Sequence, residues 1–324
     1  MTETLTLLTW PDYIDPETIQ RFESEFGIAV RLETVPSAVE LIERMHLLQS
    51  PGVDTLVPPD YAVRTLNAHG RLMALNHSLL PNLDHIDPRF QLGRAHDPES
   101  RVSVIKDWGS TGFMYRTDMV YETPATWADF WWLAEKYSGR VTVLDSPGEV
   151  IGAALKMRGY SYNASSEAAL AAARQELLRL KPHLLRFETD YKPLLASGEA
   201  CMSLGWNGDA AALSTRGIPI KYIVPNEGSQ IWEDDWAIAA DAPNPEAAHL
   251  FLNFVLRPEI AAQEARYTRY ATGNRSAVAL LDEDIRKDRS TYPSEEVLTK
   301  LEAGMPHDED GQRRREALWM EVRN

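Results

Sequence analysis

Leu5-Thr6-Leu7-Leu8-Thr9-Trp10-Pro11-Asp12-Tyr13-Ile14-Asp15-Pro16 is the stretch whose reading decides the fold. Its first six residues are apolar and β-prone, and the run is short enough for a buried strand. Asp15 offers a carboxylate to cap a helix, and Pro16 suits the first helical position, where a missing N–H costs nothing. Ile19, Phe22 and Phe26 then share one helical face, and Gly27 closes the helix. The same alternation continues. Ile28 to Leu32 predicts a strand, residues 38–49 a helix with Leu41, Ile42, Met45 and Leu48 inward, and Val53 to Val57 a third strand stopped by Pro58-Pro59. Asp60 is expected to cap a helix reaching His69. Strand–helix repeats of this kind predict a mostly parallel sheet covered on both faces.

Further along, Val102 to Ile105 and Gly112 to Tyr115 predict two short strands. A second α/β set follows, with strands at Arg140 to Leu144, Ala200 to Trp206, Ile218 to Val224 and Trp236 to Ala239. Helices are expected at Glu149 to Met157, Ser166 to Leu180 and from Asn244-Pro245 onward, and two surface helices over 294–324. A chain of 324 residues is too long for one ordinary core and suits two domains. No flexible linker separates them, so the expected crossovers are strands, near Tyr115 and near Ile231–Trp236.

The net charge of −15 repels nucleic acid and anionic membrane surfaces and attracts small cations. The single cysteine, Cys201, excludes an intrachain disulfide. No run of about 18 apolar residues spans a membrane. The chain begins without a basic-then-apolar leader, so the expectation is a mature form or a cytoplasmic protein. Phosphate-binding glycine loops, HExxH and GxSxG are absent, and the eight histidines show no metal-ligand spacing, so no metal or cofactor is expected. His307 to Gly311 is read as a solvated turn, and Arg313 to Arg315 as an exposed charged run.

One constellation remains. Acidic residues stand beside aromatics at strand ends: Trp10, Asp12 and Tyr13 after the first strand, Tyr61 after the third, and Glu149 after the strand ending at Leu144. Trp206 and Asp209 follow Ser203, Trp232 and Asp234 lie at the second crossover, and Tyr270 follows a late helix. Ligands of parallel α/β sheets bind at the carboxyl ends of the strands. An ammonium has three donors and no acceptor, so carboxylates are its partners, while indole and phenol faces attract the cation and cover its methylenes. The pattern therefore points to an alkyl diamine or polyamine.

The same places carry a resemblance. Trp10-Pro11-Asp12-Tyr13-Ile14, Leu56-Val57-Pro58, Leu144-Asp145-Ser146-Pro147-Gly148-Glu149-Val150, Gly205-Trp206-Asn207-Gly208-Asp209, Trp232-Glu233-Asp234 and the run from Leu252 to Pro258 resemble the polyamine-binding receptors of bacterial ABC importers. The resemblance implies a periplasmic-binding-protein type II fold, two α/β lobes joined by a two-strand hinge with a ligand cleft between them. Residues 1–114 with 235–278 would form one lobe, and 115–234 with 279–324 the other. It implies Trp10 and Tyr13 lining a box with Asp12 near an amine, Tyr61 as a wall and Glu149 on a nitrogen. Trp206 would stack on the methylenes, Asp234 would be a principal ammonium partner beside Trp232, and Tyr270 would close the box. Asp209 implies putrescine rather than spermidine. It further implies a monomeric receptor, not an enzyme, in the periplasm or at the cell surface, which delivers its ligand to a membrane permease. Pro11 and Pro59 stand where the family carries hydroxyl residues. A spermidine-preferring receptor, a receptor of this fold for another solute, and a carboxylate-based enzyme are the competing readings.

Overall fold

The structure is a computed structural model that describes residues 4–47 and 52–324. The chain divides into two compact units, Met1–Trp108 with Glu233–Lys287 (unit 1) and Gly109–Trp232 with Asp288–Asn324 (unit 2). The strands in chain order are β1 (Thr4–Thr9), β2 (Ala29–Thr34), β3 (Thr55–Leu56), β4 (Ser103–Arg116), β5 (Val141–Val143), β6 (Leu184–Phe187), β7 (Met202–Trp206), β8 (Ile220–Ile223), β9 (Gln230–Ile238), β10 (Ala271–Thr272) and β11 (Glu302–Ala303).

In unit 1, β1 lies between β2 and β3, parallel to both, and β3 pairs antiparallel with β9 (Thr55↔Ile238). Asp15 caps the first helix, Pro16–Phe26, by accepting from the Glu17 N–H at 2.9 Å, and Gly27 leaves it in the left-handed conformation at φ 68°. Phe22 packs edge-on against Phe251 and Phe254, with ring centroids 5.0 and 5.5 Å away. Leu41 and Met45 are buried in the helix Ala38–Leu47, whereas Leu48 lies outside the described residues. The third helix starts one residue earlier than expected. Pro59 is its cap residue, and Asp60 is its first helical residue.

In unit 2, β4 pairs antiparallel with β7 and β8, while β5 runs parallel to β6 and β7. Phe113, Trp127, Phe130 and Trp131 form an aromatic core against the helix Trp127–Lys136. The C-terminal region corrects the expected pair of surface helices. The last helix, Glu309–Arg323, buries Leu318 and Val322 in this core, and Arg315 is buried too, with its guanidinium donating to the Ala164 carbonyl at 2.9 Å. Asp308 caps that helix, so the acidic turn at 307–311 is a helix start.

The second correction concerns β4. Two short strands were expected, and one 14-residue strand is found, buried along nearly all its length. Lys106 and Asp107 sit inside it and have the composition of a turn, yet they satisfy each other across 2.7 Å. β4 and β9 are the two strands that run from one unit into the other. Gly109, the first unit 2 residue of β4, has no room for a side chain: a Cβ would come within 2.3 Å of the Trp232 ring and 2.5 Å of the Asn207 amide oxygen.

Candidate functional site

The unit 1 face is assembled at the end of β1. Trp10 leaves the strand half-buried, and its indole Nε1 donates to Oδ2 of Asp234 on β9 at 3.0 Å. Asp12 takes a left-handed backbone, φ 55°, which turns the chain and carries Tyr13 inward. The Tyr13 hydroxyl donates to Asp107 Oδ1 at 2.6 Å, and its ring lies 6.0 Å from that of Tyr270. Burial, reinforced by the neighbouring charge of Asp107, pushes the Asp234 carboxyl up to about 8.

β9 sorts its acids by alternation. Trp232, Asp234 and Trp236 share one side of the strand, and Glu233 and Asp235 take the other. Asp235 is fully buried and accepts from Arg94 Nη1 at 2.8 Å, His96 Nε2 at 3.0 Å and Ser103 Oγ at 2.5 Å. Burial works to raise its pKa, but Arg94 and His96 outweigh that and hold the carboxyl well below the usual range. Glu233 lies 3.3 Å from the same guanidinium. The acid beside Asp234 is therefore committed to a network on the opposite side. His96, Glu233 and Asp235 offer ligand atoms within 4.8 Å of one another. Arg94 stands among them, donating to Asp235 at 2.8 Å and lying 3.3 Å from Glu233.

The unit 2 face is built where β5 and β7 end. Glu149 stands in the first turn of the helix Pro147–Met157, and its Oε1 accepts from the Trp206 indole Nε1 at 2.5 Å and from Thr111 Oγ1 at 3.1 Å. Burial raises its pKa. Trp206 ends β7 and caps the helix Asn207–Thr215, its N–H donating to the Tyr191 hydroxyl at 2.9 Å. Asp209, one turn on, accepts from the same Tyr191 hydroxyl at 2.7 Å and pairs with Lys192 Nζ at 3.0 Å. Trp232 lies half-buried over Gly109, next to Asn207.

The expected residues thus fall on two faces. Trp10, Tyr13, Asp234 and Tyr270 meet in unit 1, and Glu149, Trp206 and Asp209 meet in unit 2 with Trp232 beside Asn207. Asp12 and Tyr61 are exposed. The two units repeat one device: a carboxylate held by an indole N–H. Among the described residues neither Asp234 nor Glu149 has a Lys, Arg or His within ion-pair distance, while Asp107, Asp209 and Asp235 each do. Sequence reading missed Lys106, Asp107, Arg94, His96, Thr111 and Tyr191. Lys106-Asp107 was the one legible signal, as two charges inside an apolar run.

Residues 17–291 match the family model described as bacterial extracellular solute-binding protein. The chain is 32% identical to the spermidine/putrescine-binding periplasmic protein of Escherichia coli over 91% of this chain and 84% of that one. It is also 32% identical to the putrescine-binding periplasmic protein of the same organism, over 99% of this chain and 92% of that one. Among solved structures, the spermidine/putrescine ABC transporter substrate-binding protein of Streptococcus pneumoniae superposes with a TM-score of 0.89 at 29% identity, covering 99% of this chain and 98% of that one. With a mixed α/β architecture that matches this solved structure over nearly its whole length, the chain belongs to the bacterial extracellular solute-binding protein family.

Proposed function

We propose that this chain is the receptor of an ABC polyamine importer and binds putrescine or a related diamine or polyamine. The observation that carries the reading is the pair of carboxylates without a cation, Asp234 on unit 1 and Glu149 on unit 2, each fixed by an indole N–H. A carboxylate with no cation in ion-pair distance suits an ammonium group, and each unit presents one. Each charge-assisted contact contributes roughly 1.5–3 kcal/mol. Trp10, Trp206 and Trp232 are the indoles left half-buried beside these groups, available to cover methylenes, whereas Trp108, Trp127, Trp131 and Trp236 are buried. The receptor then docks, as a monomer in the periplasm or at the cell surface, on a membrane permease and releases the amine chemically unchanged. No helix among the described residues is long and apolar enough to cross a membrane.

Isothermal titration of ligand-stripped protein with putrescine, spermidine, cadaverine, agmatine and butanediol tests the reading. One-to-one binding of an amine and silence from the diol is the expected result. No heat from any amine, with an unmoved melting temperature, overturns it.

Asp209 bears on the choice of amine. Its contact with Lys192 is half-exposed on the lysine side, so a ligand ammonium can take the place of Nζ. Asp209→Ser is expected to weaken putrescine binding several-fold more than spermidine binding. Equal losses, measured by the same titration, remove Asp209 from the discrimination.

A further inference from the structure

The unit 1 face already contains an ammonium. Lys106 Nζ lies 2.7 Å from Asp107 Oδ2 and 3.9 Å from Glu264 Oε2. It stands 4.1 Å over the Tyr13 ring and 5.6 Å from the Trp236 ring. Its side chain is 2% exposed. Carboxylates at the head and aromatic faces along the sides are what a bound alkylammonium would need, supplied here by the protein to its own side chain. The adjoining cavity, about 20 Å³, has room for a single water and no further amine. Asp107 also accepts the Tyr13 hydroxyl, so both of its oxygens are engaged.

We propose that Lys106 is a tethered ammonium that fixes the charge this face accepts: it satisfies Asp107, leaves Asp234 as the single carboxylate for a ligand head, and biases the receptor toward short diamines. The inference rests on the amine-binding reading above. Lys106 and Asp107 act on the Asp234 carboxyl in opposite directions, which ties the pair electrostatically to the ligand-facing group. Glu264, itself pushed up to about 7 by burial, belongs to the same cluster. Removing the lysine charge makes the face more negative. A third ammonium, standing about 10 Å away, then gains about tenfold in affinity at an effective dielectric near 20.

The test is the ratio of spermidine to putrescine affinity at pH 7.0, where alkylamines, including the closely spaced ones of a triamine, keep their protons. Lys106→Met is expected to move the ratio about tenfold toward spermidine. Lys106→Arg keeps the charge and is expected to keep the wild-type ratio. Asp107→Asn still accepts the Tyr13 hydroxyl but leaves Lys106 uncompensated, and the ratio is expected to move toward putrescine. This opposite shift stands as the readout if Lys106→Met does not fold. The double variant K106M/D107N is expected to return to the wild-type ratio. Equal loss of both amines in the single variants means that Lys106 merely supports the fold, and the inference falls while the receptor reading stands. A wild-type protein that binds neither amine removes both.

Discussion

Replacing Asp234 with Asn is expected to weaken putrescine binding by at least about tenfold, or roughly 1.4 kcal/mol, and to flatten its pH dependence. Asn keeps an oxygen for the Trp10 N–H, so the face stays assembled while its charge is lost. In the free protein the Asp234 carboxyl sits at about 8 and is mostly protonated at pH 7. An ammonium binds the ionised form, so binding must expel that proton. Wild-type affinity is therefore expected to rise with pH between 6 and 8, by up to about tenfold per unit, and then level off. The linked proton is measurable directly, by titrating in buffers of different ionisation heat. Close to one proton released at pH 7 in the wild type and close to none in Asp234→Asn is the expected pattern. A pH-independent wild-type affinity, or an unchanged affinity in the variant, excludes Asp234 from the ligand contact.

The largest loss of stability is expected from Arg94→Met. Arg94 donates to both Asp235 oxygens at 2.8 Å and to the Ser103 carbonyl at 3.1 Å, and it lies beside Glu233. Without it Asp235 is a fully buried carboxylate compensated by His96 and Ser103 alone. Breaking a buried pair in this way costs about 3–5 kcal/mol, a fall in melting temperature of roughly 10 °C for a domain of this size. The pKa shift runs opposite to that of Asp234. The Asp235 carboxyl is depressed on folding, so its contribution is present above the unfolded value near 4 and lost as pH falls below it. The variant's deficit is thus largest at neutral pH and shrinks in acid. A melt within a degree of the wild type at pH 7 means that the network contributes nothing.

What sequence reading captured follows periodicity and local chemistry. The Asp15-Pro16 helix start and the Gly27 exit were legible because cap and turn residues act over a few positions. Trp10, Glu149, Trp206 and Asp234 were legible as acids and aromatics at strand ends. The β4 reading failed because Lys106 and Asp107 resemble a turn, and only their mutual pairing and the Tyr13 hydroxyl allow a buried strand to hold them. Asp235 was not legible because its partners, Arg94 and His96, lie far away in the chain. The alternation of β9 already separated it from Asp234, but a strand's two sides cannot be told apart until something packs on one of them.

β9 has a consequence for the order in which the protein is made. It supplies the neighbour of β3 on the side away from β1, and it supplies Asp235 for Arg94. The ribosome completes it only after the whole stretch 109–232 of unit 2 has been synthesised. Until then the emerging N-terminal segment has an open sheet edge and an arginine without its principal acid, so unit 1 cannot settle into its native state. A nascent chain of this topology stays unfinished for most of its synthesis.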